Sequence, residues 1–444
     1  MRRLYNSAMD FREHLLAYLP LGEVDGILSA QKKEQVHGLL LNTEKVDPVA
    51  FTQAFPHIEP IPHVPHGYRY SSEEYAFGKH PLFDLGAYYI QDPAAMLVAS
   101  QLKPREGARI LDLCAAPGGK TIGTSLLYPS CTLISNDLSY PRAKELSGNV
   151  ERMGRGNIVV TCADFKDHYR DSQGAFDAII LDAPCSGSAM FRKNDLAEAD
   201  WSIEKVQRCA TIQKELLSFA YSMLAPGGIL LYSTCSFSKE EDIDPILELL
   251  KEHDDLSLCE MEDDSSFYHH PDLPEAIFLF PHRYEGEGQF LVKVQKAGRP
   301  PLFAMRNRPA PKQNPFVGAY GLEGRDFEIK GTALYSMPRC TPTHHLPVLR
   351  YGVKIEEDGN PDFALARYLG VEDSIPLDGT QTKAYLSGLT FDLNAAKGYH
   401  VVSYQGLTMG WVKVSNGVAK NHYPKGLRRD YAKDLFPFLV TTDR

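Results

Sequence analysis

Between residues 85 and 297 short apolar runs alternate with longer stretches of helical character, and no other property of the sequence constrains the fold so tightly. The runs are Ala108–Leu113, Thr132–Asp137, Ile158–Thr161, Phe176–Asp182 and Gly228–Ser233. Strands this apolar have both faces covered, as in a parallel sheet, and parallel strands need crossover segments between them. The alternation therefore predicts an α/β fold with a parallel sheet wrapped by helices. A last run, Gln289–Val294, follows a glycine-containing turn and is expected as an antiparallel edge strand.

The chain has 444 residues, too many for one ordinary core. Residues 1–75 read as a small mixed α/β unit, with a helix starting at Phe11 and a short strand at Gly38–Thr43. Residues 76–297 form the sheet domain, and 298–315 a basic, proline-rich linker containing Arg299, Arg306 and Arg308. Residues 316–375 make a small middle domain, and 376–444 a compact β-rich module. Two arginines follow Met1 without an apolar run behind them, and no stretch approaches the ~20 apolar residues of a membrane helix. A cytoplasmic protein is expected. None of the eight cysteines forms a C-x-x-C pair, so neither a zinc site nor a disulfide framework is expected. Cys131, Cys162, Cys209, Cys259 and Cys340 read as buried small hydrophobes.

Cys114-Ala115-Ala116-Pro117-Gly118-Gly119-Lys120-Thr121 follows the first predicted strand and opens a helix. Small residues there let a ligand lie against the backbone, and a helix N-terminus favours a negative group such as a methionine carboxylate. The loop is neither G-x-G-x-x-G nor a phosphate loop, which counts against a nucleotide-dependent dehydrogenase. Asp137 ends the second strand, where a carboxylate can take ribose hydroxyls, and Asp164 closes the third, within reach of an adenine amine. For each aspartate the competing role is a helix N-cap.

Asp182-Ala183-Pro184-Cys185-Ser186-Gly187 follows the fourth strand, and Ser233-Thr234-Cys235-Ser236 ends the fifth. Carboxyl ends of adjacent parallel strands face one crevice, so both thiols should share the pocket of the small-residue loop. Two thiols suit methylation at carbon 5 of a pyrimidine. One adds to carbon 6 and makes carbon 5 nucleophilic, and the other assists release once the carbon-5 proton is removed. Asp182 would hold the base edge. Amino-group methylation would instead call for an aromatic residue where Cys185 stands. The cysteine pair also argues against a protein that binds RNA without catalysis.

Together these segments resemble the Sun-type RNA 5-methylcytosine methyltransferases, over about residues 35–297. Tyr88–Met96 and Pro281–Phe290 are similar to further segments of that family, and Gly410–Lys413 with Lys420–Arg428 to the tail of its bacterial 16S ribosomal RNA branch. The resemblance implies a Rossmann-like class I methyltransferase domain, an N-terminal α/β RNA-binding unit, and small C-terminal domains that include a PUA-like β-barrel. It implies S-adenosylmethionine as cofactor, bound by Cys114, Ala115, Ala116, Pro117, Gly118, Gly119, Lys120, Asp137, Arg142, Asp164 and Asp182. It makes Cys235 the nucleophile and Cys185 the residue that assists release, with Asp182 and Lys120 beside them, Lys120 orienting Asp182 or the substrate. The partner implied is 16S ribosomal RNA or the small ribosomal subunit, and a monomer is expected. Two positions depart from the family: Leu40 stands where relatives usually carry Arg, and Gln289 replaces a common aromatic, a change expected to matter only for packing.

A net charge of −10 argues mildly against a polyanionic partner, but binding follows the local field. Lys413, Lys420, Lys425, Arg428, Arg429 and Lys433 crowd the C-terminal stretch with Asp430 as the only acid among them, and Trp411, His422 and Tyr423 are interleaved. Such cations would hold phosphates, and such aromatics would either stack unpaired bases or fill a core.

Overall fold

The computed structural model describes residues 11–168, 172–193, 195–301, 314–322, 325–338, 346–429 and 431. Arg306, Arg308, Cys340 and Lys433 lie outside the described residues. The central sheet has ten strands: β1 (Arg109–Asp112), β2 (Thr132–Asn136), β3 (Ile158–Thr161), β4 (Phe176–Asp182), β5 (Leu224–Thr234), β6 (Leu256–Leu258), β7 (Tyr268–His270), β8 (Leu273–Leu279), β9 (Gln289–Lys296) and β10 (Val348–Tyr351). Its order is β7-β8-β9-β5-β4-β1-β2-β3-β10, with β6 pairing β9. The five central strands are parallel, and the chain reverses direction across the sheet between β1 and β4. Reversal of this kind opens a crevice at the carboxyl ends of those strands.

The run at 289–294 is antiparallel, as expected, but it is not an edge. β9 lies between β5 and β8, and its first six residues are buried. Its outer flank is covered by Leu273–Leu279, a strand that opens on Leu-Pro-Glu and so shows a weak apolar signal at its start. At the far side, β10 pairs antiparallel with β3, so a strand from the 316–375 stretch extends the central sheet.

Four helices matter for the site: α1 (Gly119–Leu127), α2 (Tyr140–Met153), α3 (Ile203–Met223) and α4 (Lys239–Asp242). In α2 the apolar residues recur at helical spacing, and Ala143, Leu146, Val150 and Met153 are buried on one stripe. Proline stands in its first turn, and Gly154 ends it in the left-handed region at φ 70°.

The N-terminal unit has helices over residues 11–16 and Leu21–Ala30. They accompany an antiparallel sheet ordered Glu59–Pro60, Gly67–Tyr70, His37–Leu41, Tyr88–Ile90. Four antiparallel strands between Asp326 and Pro361 form a middle sheet. The C-terminal module is a five-stranded sheet ordered Ser374–Pro376, Gly398–Tyr404, Leu407–Ser415, Val418–Asn421, Phe391–Asp392. One guanidinium ties the units together. Arg367, 1% exposed, donates to Thr408 O, to Arg152 O at 3.1 Å and to Asp84 O at 3.5 Å. Beside it, Asn42 Nδ2 donates to Gly86 O and Met153 O, each at 3.1 Å. Carbonyls at the end of α2, which no further turn can satisfy, are thus taken by groups from both flanking units. No described helix is long and apolar enough to cross a membrane.

Candidate active site

The small-residue loop, residues 113–118, joins β1 to α1 in the crevice. Gly118 sits at φ 117°, a conformation that side-chain-bearing residues rarely adopt, and this turn aims the first amides of α1 at the pocket. Asp137, 3% exposed, closes the adjacent wall. Its carboxylate accepts the N–H of Ala116 at 3.3 Å and of Ser139 at 2.9 Å, and Arg142 lies 3.3 Å from it. Arg142 also donates to Ala116 O at 2.6 Å, and Asn149 to Pro117 O at 3.0 Å, so α2 holds the loop from outside. Asp164 accepts the Lys166 N–H at 2.9 Å, which gives it the capping role as well as a place at the carboxyl end of β3. Beneath the loop lies Asp112, fully buried, which sequence reasoning treated only as part of a strand. One oxygen accepts from Thr121 at 2.6 Å, and the other has no hydrogen-bond partner. Burial pushes its carboxyl up to about 7, against the lowering effect of Thr121. A left-handed glycine turn, a helix N-terminus, a carboxylate at the end of β2 and an orphaned carboxylate oxygen together fit an amino-acid-bearing nucleoside such as S-adenosylmethionine.

Cys185 and Cys235 face each other across β4 and β5 with their sulfurs 2.9 Å apart. Both are free and half-buried. The hydrogen bond to Cys235, then burial, push the Cys185 thiol well above its usual value. Asp182 accepts from Lys120 Nζ at 2.6 Å, from Ser233 Oγ at 2.7 Å and from Gln289 Nε2 at 3.0 Å. Burial opposes the charge on Lys120, but Asp182 outweighs it and the net shift is upward. Gln289 therefore belongs to the site and does more than pack: its amide fixes the aspartate that faces the crevice. Lys120, Asp182, Cys185 and Cys235 come together, joined by Gln289, which was expected only to pack, and by Ser233, which was not given a role.

The remaining cysteines correct an expectation. Among the described ones only Cys131 is buried, while Cys162, Cys209 and Cys259 are half-buried. They sit where strand or helix meets solvent, and a small side chain there needs no full enclosure.

On the C-terminal module Lys413, Lys420, Lys425 and Arg429 are exposed, as is Arg299 on the linker. Arg428 is turned partly inward and donates to Tyr423 O at 3.1 and 3.2 Å. Trp411 and Tyr423 are core residues, each 2% exposed, and cannot stack an incoming base. Trp411 Nε1 donates to Asp362 O at 2.7 Å, which satisfies the indole from inside. Of the three aromatics only His422 is exposed.

Three family descriptions match this chain: 16S rRNA methyltransferase RsmB/F over residues 99–295, the N-terminal domain of 16S rRNA methyltransferase RsmF over 8–93, and the methyltransferase RsmF PUA domain over 372–429. Ribosomal RNA small subunit methyltransferase F of Aeromonas salmonicida is 30% identical over 382 residues, covering 78% of this chain and 79% of the relative. The chain belongs to the 16S rRNA methyltransferase RsmB/F family. The Aeromonas hydrophila protein of the same name is 28% identical and covers 95% of this chain and 97% of itself, so the similarity to this family extends through the flanking units. Among solved structures, a methyltransferase homolog protein from Pyrococcus horikoshii is 25% identical, with a TM-score of 0.55, covering 64% of this chain and 93% of that one. NSun6 from the same organism, solved with SFG, shares the fold at 19% identity and a TM-score of 0.57, covering 65% and 98%. RsmB/F membership makes this an rRNA methyltransferase of the S-adenosylmethionine-dependent class.

Proposed function

We propose that this RsmB/F family member methylates carbon 5 of cytosine in 16S ribosomal RNA, as the free RNA or within the small subunit, acting as a cytoplasmic monomer. The observation that carries this reading is the 2.9 Å contact between Cys185 and Cys235 at the head of adjacent parallel strands. When bound along residues 114–120, Asp137, Arg142, Asp164 and Asp182, S-adenosylmethionine supplies an electrophilic methyl group. Asp182, held by Lys120, Ser233 and Gln289, accepts a hydrogen bond from the flipped-out base.

The division of roles follows the family the chain resembles: Cys185 assists release, and Cys235, as its thiolate, is the nucleophile. Its sulfur bonds carbon 6, and carbon 5 takes the methyl group. Cys185 is then able to take part in removing the carbon-5 proton, after which the sulfur–carbon bond breaks. The exposed cations Lys413, Lys420, Lys425 and Arg429, with Arg428 beside them, hold RNA phosphates.

Two measurements test this. Bisulfite sequencing of 16S rRNA from a deletion strain should lose 5-methylcytosine that returns on complementation. A covalent protein–RNA complex should accumulate with Cys185→Ala and be absent with Cys235→Ala. The reverse pattern would exchange the two roles, and an unchanged methylation map would remove the activity.

A further inference from the structure

Behind the cysteine pair lies a buried carboxylate that the chemistry above does not use. Glu241, on α4, is fully buried, so it touches neither RNA nor cofactor. One of its oxygens accepts the Ser186 N–H at 2.8 Å and Gln213 Nε2 at 3.1 Å, and the other accepts the Ser236 hydroxyl at 2.8 Å. Ser186 directly follows Cys185, and Ser236 directly follows Cys235. The residues next to both thiols thus hang from one carboxylate. Two further bonds brace it. Gln213, from α3, also donates to Pro184 O at 3.0 Å on the other side of Cys185, and the Ser186 and Ser236 hydroxyls meet at 3.2 Å. Tyr232 at the end of β5 donates to the Glu241 carbonyl at 2.6 Å, fixing the base of the clamp to the strand that carries Cys235.

Local structure alone does not explain this placement. Ser238-Lys239-Glu240-Glu241 is spaced as a capping box, yet Ser238 makes no side-chain cap bond and Glu241 reaches away from the helix toward the two loops. Burial raises its carboxyl despite the bonds it accepts, a cost that α4 itself does not require.

We propose that Glu241 is a positioning residue that sets the distance and facing of Cys185 and Cys235, acting through the loop residues that follow each thiol. This rests on the two-cysteine reading of the reaction. The role is geometric. A glutamine at 241 can keep all three bonds, because its oxygen accepts the two N–H groups and its amide donates to Ser236, whose hydroxyl then turns to Ser186. An alanine keeps none.

The test compares Glu241→Gln and Glu241→Ala in the full chain by two readouts. The first is diamide-driven formation of a Cys185–Cys235 disulfide, followed by mass spectrometry, which reports thiol placement without RNA. The second is kcat and S-adenosylmethionine affinity on a 16S rRNA transcript. Glu241→Ala should slow disulfide formation ~10-fold and lower kcat by on the order of 100-fold, with cofactor affinity unchanged. Glu241→Gln should stay close to wild type in both. A wild-type disulfide rate in Glu241→Ala overturns the proposal, as does Glu241→Gln failing as badly as Glu241→Ala, which would make the charge the active property. Should Glu241→Ala not fold, Gln213→Leu, which cuts one of the braces, takes its place and should slow the disulfide step measurably; a wild-type rate there also overturns the proposal. Failure of the wild type to form 5-methylcytosine sinks the reaction but leaves the disulfide comparison standing.

Discussion

Asp112 gives the site a pH signature of its own. Its carboxyl is pushed by burial to about 7 in the folded chain, against an ordinary value of 3.8. Between those values the native state holds a proton that the unfolded chain has released, so stability falls as pH rises through this window and levels off above it. Three pKa units correspond to ~4 kcal/mol, of which a carboxyl with a hydrogen-bond donor in place realises part. Asp112→Asn should therefore flatten the pH dependence of Tm between about pH 4 and 7 and raise Tm at pH 8 by a few degrees. A thermal melt series across pH checks this, and an unchanged slope would refute it. How far single residues were legible in the sequence follows from what fixes them. Cys185, Cys235, Asp182 and Lys120 sit at ends of strands or the start of a helix, and a parallel sheet dictates that such ends converge. Gln289 meets Asp182 across 107 positions and Glu241 meets Ser186 across 55. Such pairings are set by sheet order and by side-chain reach, neither of which the local pattern encodes.

Elements were read well where periodicity had one meaning. The five parallel strands stand where their apolar runs stand, because a strand buried on both faces leaves no ambiguity. The strand Leu407–Ser415 shows the opposite case. Trp411 and Lys413 stand two apart in it, a spacing that left the indole open to stacking a base or filling a core, and the first six residues of the strand are all buried. The aromatic rings of Phe316, Tyr320 and Tyr399 pack on Trp411 from residues up to about a hundred positions away, so the core role holds and the indole is covered by other parts of the chain. Lys413, over the Tyr399 ring at 4.6 Å, is what remains outside. Trp411→Ala should cost ~3–5 kcal/mol of stability in urea unfolding, from lost packing and the lost indole bond to the Asp362 carbonyl. The same variant should bind RNA like wild type at temperatures where it is folded, since Trp411 is not on the surface. A stable variant with weakened RNA binding would restore the stacking role.

At the scale of the whole molecule, a chain of net charge −10 presents its exposed C-terminal cations locally, and its units are joined by ion pairs such as Arg155–Glu44 and Arg283–Glu23 and by buried polar groups. Arg367 is the clearest of these. Arg367→Met keeps much of the side-chain volume but leaves three carbonyls, on Thr408, Arg152 and Asp84, without this donor. Each unsatisfied buried group costs ~1–3 kcal/mol, so a loss of about 3 kcal/mol or more is expected, seen as a lower unfolding midpoint and faster proteolytic release of the C-terminal module. A midpoint equal to wild type would show that the interface does not depend on it. Helix α2 links this junction to the pocket. Its 14 residues begin beside Asp137, brace the loop through Arg142 and Asn149, and end in carbonyls claimed by Asn42 and Arg367. For anyone building chimaeras, this chain is not a set of interchangeable parts. A C-terminal module grafted onto another methyltransferase arrives without its socket unless Asn42, Arg152, Met153 and Arg367 travel as one unit, and a host helix lacking that socket would be left with bare carbonyls at one end and a slack cofactor loop at the other.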